Sequence, residues 1–164
     1  MASTSSESAV KRNPTTVERT SDREVVVTRT VDAPARLVFE AWTTPELFRQ
    51  WWVPKSLDMT MHAIELDART GGRYRISFGE GMDFFGTYVE VTPHSRLVWT
   101  NEEGGETGSV TTVTFEEEDG ATHVVVSELY SSKETLDAED GNGAADAMPE
   151  TFAQLDDLLA QLPA

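Results

Sequence analysis

The period of the apolar positions changes twice along the chain. Residues 24–31, EVVVTRTV, are rich in β-branched side chains and predict a strand. DAPARLVFEAW follows, with Asp32 as an expected cap, Pro34 in the first turn, and Leu37, Val38, Ala41 and Trp42 at helical spacing. TTPELFRQWW repeats the device, with Thr44 as cap and Pro45 at the first helical position. From residue 57 to residue 130 the pattern becomes six strands separated by turn signals at hairpin spacing: LDMTMHAIELD, GGRYRISFG, MDFFGTYVEVTP, SRLVWTNEE, SVTTVTFEEEDG and ATHVVVSELY. The period then returns to that of a helix. In AMPETFAQLDDLLAQL, Met148, Phe152, Leu155, Leu159 and Leu162 form an apolar stripe, and Glu150, Asp156, Asp157 and Gln161 take the other face.

An antiparallel sheet with one apolar face needs a cover, and the terminal helix is the long element available to provide it. The expectation is an α+β helix-grip fold, in which a curved antiparallel sheet of about six to seven strands wraps a long C-terminal helix. Residues 1–23 lack periodicity and are rich in Ser, Thr and charge, so they read as a disordered tail before a single domain over 24–164. A sheet gripping one helix leaves a wedge of space at the end that the helix does not fill, beside the two short helices.

The adjacent pair Trp51 and Trp52 in FRQWWVPKS bears on that space. Neighbours on a helix point about 100° apart, so both cannot face one core directly. One is expected to plug the core, with Trp51 favoured, while Trp52 lines or gates a cavity. Strand alternation supplies the remaining expected lining: Tyr74, Ile76 and Phe78 on one strand, Phe85 and Val89 on the next, then Trp99, Val113, Phe115 and Val126. Met148 and Phe152 would face them from the helix. Each of these side chains has an equally ordinary role in core packing. Glu128 differs, because continuing the register of Val124 and Val126 points a carboxylate inward, where it needs a partner, a water, a ligand or a bulge. Arg73 and Arg75 read as an exposed basic row.

Charge is the least ordinary bulk property. The formal net charge is −16, and residues 101–164 hold 16 acids against Lys133 alone. Nucleic acid is not expected as a partner, since a phosphate-binding face needs a basic stripe. The acidity is either a well-solvated surface or an adaptation to a salt-rich cytoplasm, where only three of the thirteen basic residues being lysine would also fit. The absence of cysteine removes disulfides and thiol chemistry and fits a cytoplasmic location. No apolar run approaches a membrane span, so membrane insertion is not expected. His62, His94 and His123 lack metal-ligand spacing, and no nucleophile elbow, phosphate loop or dinucleotide fingerprint occurs. No catalytic residue, metal site or cofactor is therefore assigned.

VDAPARLVFEAWTTPELFRQWWVPKS, GGRYRISF, GTYVEVTPHSRLVWT, VTTVTFEEEDGATHVVV and ETFAQLDDLLAQL together resemble the bacterial branch of the START-like (SRPBCC) superfamily. Within it, residues 24–162 are most similar to the C-terminal domain of the activator of heat-shock-protein-90 ATPase. The resemblance implies a helix-grip fold whose cavity binds small apolar molecules in many relatives, while others are chaperone partners or cyclase- and hydrolase-like enzymes. Two departures stand out: many relatives carry Gly-Trp where this chain has Ala147 and Met148, and Pro149 replaces a helix former. The reading is a binding protein for a small apolar or amphipathic ligand, monomeric or homodimeric. The alternatives are a co-chaperone-like interaction module and, third, an enzyme using the same cavity.

Overall fold

The computed structural model describes residues 15–53, 55–57, 60–79, 83–102, 108–141 and 148–162. The strands are β1 (Thr16–Arg19), β2 (Glu24–Val31), β3 (Ala63–Leu66), β4 (Arg73–Ser77), β5 (Asp83–Thr92), β6 (Arg96–Thr100), β7 (Val110–Glu118) and β8 (Ala121–Leu129). They form one eight-stranded sheet in the order β1-β2-β8-β7-β6-β5-β4-β3, and every neighbouring pair is antiparallel. The six strands read between residues 57 and 130 form as a meander, and β2 joins its far end beside β8. The link between β7 and β8 is short because its residues suit a tight turn. Asp119 and Gly120 take φ values of 53° and 81° there, and both residue types tolerate that left-handed region.

The sheet begins earlier than its apolar pattern indicates. Residues 1–14 lie outside the described residues, but Thr16–Arg19, placed in the tail by the sequence reading, form β1 and pair with Val25–Thr28 of β2. All four of its residues are exposed, so the strand is held by backbone pairing and leaves no hydrophobic signature.

The helices are α1 (Ala35–Thr43), α2 (Pro45–Phe48), α3 (Lys133–Gly141) and α4 (Met148–Gln161), with a 3-10 turn at Lys55–Leu57. Two caps differ from expectation. Pro34 occupies the N-cap position of α1 without a side-chain cap, and the Ala35 N–H instead donates to Glu117 Oε1 at 2.7 Å. Thr44 is the N-cap of α2 but makes no side-chain cap bond. Neither the sequence spacing nor local pattern announces α3, although Ser132 Oγ accepts the Thr135 N–H at 3.1 Å as an N-cap would. Leu136 of this helix is buried in the core.

α4 buries Phe152, Leu155, Leu158 and Leu159, together with Thr151 and Gln154. Leu158 thus joins the expected stripe, while Asp156 leaves the solvent face. The Asp156 carboxylate accepts from Arg29 of β2, and the Arg29 side chain is only 13% exposed. Arg29 shares the inner face of β2 with Val25, Val27 and Val31 by strict alternation. The ion pair lets a cation sit beneath the helix, since a buried charge needs a partner. Burial pushes the Asp156 carboxyl above its usual range, against the opposing pull of Arg29.

Candidate functional site

Strand register aligns one row of side chains across the inner face. Val25, Glu128, Thr111, Trp99 and Tyr88 are successive partners on β2, β8, β7, β6 and β5. Val25, Thr111 and Tyr88 are buried, whereas Glu128 and Trp99 are half-buried. Glu128 therefore points inward, and its carboxylate is met by hydroxyls. Oε1 accepts from Ser109 Oγ at 3.3 Å and Thr111 Oγ1 at 3.2 Å, and Oε2 accepts from the Tyr130 hydroxyl at 2.7 Å.

The same network reaches two further strands through Asn101. Its Nδ2 donates to Ser109 Oγ and Thr111 Oγ1, each at 2.9 Å. Its Oδ1 accepts from Trp99 Nε1 at 3.3 Å and the Tyr74 hydroxyl at 3.0 Å. Tyr74 can lie here because its register partner is Gly86. A Cβ at Gly86 would sit 1.8 Å from the Thr100 carbonyl oxygen and 2.8 Å from Tyr74 Cε1. Tyr88 continues this aromatic wall, its ring 5.9 Å from Tyr74 and 6.5 Å from Trp99. Burial, with the nearby Asp67 charge, pushes the Tyr88 hydroxyl well above the usual tyrosine range, so it stays neutral.

Trp99 joins this polar network to an aromatic cluster centred on Trp42. The Trp42 ring lies 4.8 Å from Trp51, 5.6 Å from Trp52, 6.0 Å from Trp99, 6.1 Å from Phe115 and 6.5 Å from Phe152. Trp51 is fully buried, and its indole N–H donates to the Ala41 carbonyl at 2.9 Å. Trp52 is half-buried and stacks on Phe48 at 4.9 Å. The two adjacent tryptophans thus divide between core and rim, with Trp51 in the core. Trp42 Nε1 is buried and has no acceptor among the described residues.

The segment carrying these tryptophans is clamped to α4. Gln154 Nε2 donates to the carbonyls of Trp51 and Val53, both at 2.9 Å, and Gln154 Oε1 accepts the Lys55 N–H at 2.8 Å. One turn earlier, Glu150 accepts from Ser56 Oγ at 2.6 Å and from the Ser56 N–H at 3.0 Å. These two bonds hold the Glu150 carboxyl below its usual range.

Of the expected lining residues, Trp51, Tyr74, Ile76, Val113, Phe115, Val126 and Phe152 are buried, and Trp52, Phe78, Trp99, Glu128 and Met148 are half-buried against the same core. Phe85 and Val89 are corrected. They are 36% and 52% exposed, on the outer face. The register shifts between Tyr88 and Glu90, so Gly86 and Tyr88 turn inward before the bulge and Val91 after it. Alternation that runs through Val91 cannot detect that extra residue, and a glycine hides the inward position. Tyr88, Asn101, Ser109, Thr111 and Tyr130 were missed, although all but Tyr88 continue the period-2 sets of Trp99, Val113 and Glu128. Phe84, opposite Ile76, adds an exposed ring to the rim and meets Phe78 at 5.7 Å.

Arg73 and Arg75 form the expected exposed row, neutralised by Glu102 and Asp83. Glu102 is held below its usual range by bonds from Thr100 and Thr87, with a smaller effect of Arg73. His62, His94 and His123 are exposed, and among the described residues no group of three or more His, Cys, Asp or Glu side chains is arranged to hold a metal ion. Among these residues no helix is long and apolar enough to cross a membrane.

Solved structures share this arrangement. A crystal structure of a protein from Rhodobacter sphaeroides is 22% identical, with a TM-score of 0.78 over 91% of this chain and 99% of that one. One from Nitrosomonas europaea is 22% identical, with a TM-score of 0.76 over 87% and 97%. A solution structure from Staphylococcus epidermidis is 26% identical, with a TM-score of 0.73 over 91% and 96%. No curated protein matches the chain. The family model described as Activator of Hsp90 ATPase homolog 1-like protein matches residues 32–160. The meander, the terminal helix packed on its inner face and this match over most of the sequence establish that the chain belongs to that family.

Proposed function

We propose that the protein binds a small apolar or amphipathic molecule between the inner face of the sheet and α4, entering beside Trp52 and Met148. The observation that carries this reading is Glu128. A carboxylate ringed by the hydroxyls of Ser109, Thr111 and Tyr130 contributes nothing that an apolar side chain would not contribute better to a packed core. Sites for small molecules combine apolar and aromatic walls with a few convergent polar groups, which matches this composition. Titration with the neutral fluorophore N-phenyl-1-naphthylamine tests it. Saturable one-to-one binding that weakens in Trp52→Ala supports the reading, and binding absent at every concentration rejects it.

A second reading is an interaction module of the co-chaperone type. Phe85 and Val89 support it, because two large apolar side chains on the outer face of β5 are 36% and 52% exposed. A protein that takes up no probe and loses a partner on Phe85→Ser would favour it.

A further inference from the structure

Two polar groups of the site have unused hydrogen-bonding capacity of opposite kind. Trp42 Nε1 is a donor, buried among Trp51, Trp52, Trp99, Phe115 and Phe152, with no acceptor among the described residues. A buried N–H without an acceptor is destabilising, and the indoles of Trp51 and Trp99 show that an acceptor is normally found in this core. Glu128 is an acceptor. An ionised carboxylate offers about four lone-pair positions, of which Ser109, Thr111 and Tyr130 occupy three. The remaining position belongs to Oε2, since Oε1 already accepts twice.

The two groups are separated by a calculable span. Trp99, Thr111 and Glu128 are direct partners on β6, β7 and β8. Two inter-strand steps place the backbones of Trp99 and Glu128 about 10 Å apart. The Trp42 ring lies beside the Trp99 end, at 6.0 Å. Between Trp99 and Glu128 in this row stands Thr111, its hydroxyl already bonded to Glu128, while the half-buried Trp99, with Tyr88 and Tyr74 on the strands beyond it, offers aromatic contact.

We infer that the ligand is a flat, mainly apolar molecule with a carbonyl or ether oxygen at one end and a hydroxyl or amine at the other. The oxygen accepts from Trp42 Nε1, the hydroxyl or amine donates to Glu128 Oε2, and the apolar body lies against Trp99. This rests on the ligand-binding reading above and adds the polarity of each end. No simple hydrocarbon satisfies either pole, so the site discriminates by functional groups as well as by shape.

Three naphthalenes test it, with binding read from quenching of tryptophan fluorescence. 6-Acetyl-2-naphthol carries both groups, 2-acetylnaphthalene lacks the hydroxyl, and 6-ethyl-2-naphthol lacks the carbonyl. The unchanged protein should bind the first most tightly, and loss of either group should weaken binding roughly three- to tenfold, the worth of one hydrogen bond. Trp42→Phe should erase the preference for the carbonyl while keeping that for the hydroxyl, and Glu128→Leu should do the reverse. Equal affinity for the three compounds overturns the inference and leaves the ligand-binding reading intact. A carbonyl preference that survives in folded Trp42→Phe also overturns it. Failure of all three to bind a protein that takes up N-phenyl-1-naphthylamine overturns the inference alone, and failure of that probe as well overturns both. Should either variant not fold, the comparison of the three compounds on the unchanged protein still decides.

Discussion

Gln154 Nε2 donates to the backbone carbonyl of Trp51 at 2.9 Å, across 103 positions of sequence. With its bonds to Val53 and Lys55, this one buried amide fastens the tryptophan segment to α4. Gln154→Leu keeps the volume but strands two carbonyls and one N–H. It should lower stability by about 3 kcal/mol, measured by urea unfolding. A loss below half of that would mean water replaces the amide without penalty.

The paired tryptophans should separate in the same assay. Trp51→Ala empties a fully buried position and should cost about 3–5 kcal/mol. Trp52→Ala removes a half-buried ring and should cost far less while weakening probe uptake. Equal losses with unchanged uptake would assign both rings to packing alone.

Truncation tests the first strand. A chain beginning at Arg23 loses β1, the Arg19–Asp137 ion pair and the bond from Arg29 Nη1 to Thr15 Oγ1, and it turns β2 into an exposed edge. Its thermal midpoint should fall by several degrees, given about 2–4 °C per kcal/mol for a domain of this size. An unchanged midpoint would show that β1 adds no net stability.

Acid should loosen the clamp at Ser56. The Glu150 carboxyl lies below its ordinary value of 4.5 in the folded protein. A depressed carboxyl stabilises the fold above its unfolded pKa, and that contribution disappears as pH falls through the folded value. Glu150→Gln should therefore be less stable than the parent at pH 7, and the gap should close below about pH 4.5 as the parent protonates. Urea midpoints at several pH values measure this, and a gap independent of pH would remove Glu150 as its source.

The acidic surface predicts a salt response. Sixteen acids and one lysine lie in residues 101–164. Sodium chloride should raise the urea midpoint steeply at first and then less, as the Debye length falls from about 10 Å at 0.1 M to about 3 Å at 1 M. Changing the exposed Glu116, Glu118, Asp119 and Asp157 to amides should blunt the rise. Asp156 and Glu117 must be left alone, because they pair with Arg29 and with the Ala35 N–H. A parent indifferent to salt would make the acidity energetically silent.

Periodicity determined the meander, the terminal helix and most of the inner face, because those elements exist to bury apolar side chains and burial leaves a period in the sequence. It also pointed Glu128 inward by continuing the period of Val124 and Val126, with a bulge as the alternative, and the unbroken register of β8 decided between them. Tertiary structure decided what leaves no such trace. β1 pairs through its backbone with exposed side chains, so Thr16–Arg19 look like any polar segment. The bulge at Tyr88 and Glu90 reversed the faces read for Phe85 and Val89, because one extra residue changes register without changing composition. Arg29 and Asp156, more than a hundred positions apart, each look like surface charge until β2 and α4 bring them together. The unpaired Trp42 N–H belongs to the same class. A sequence shows that a donor exists, while only the packing of five other aromatic rings around it decides that no acceptor of the described chain comes within reach.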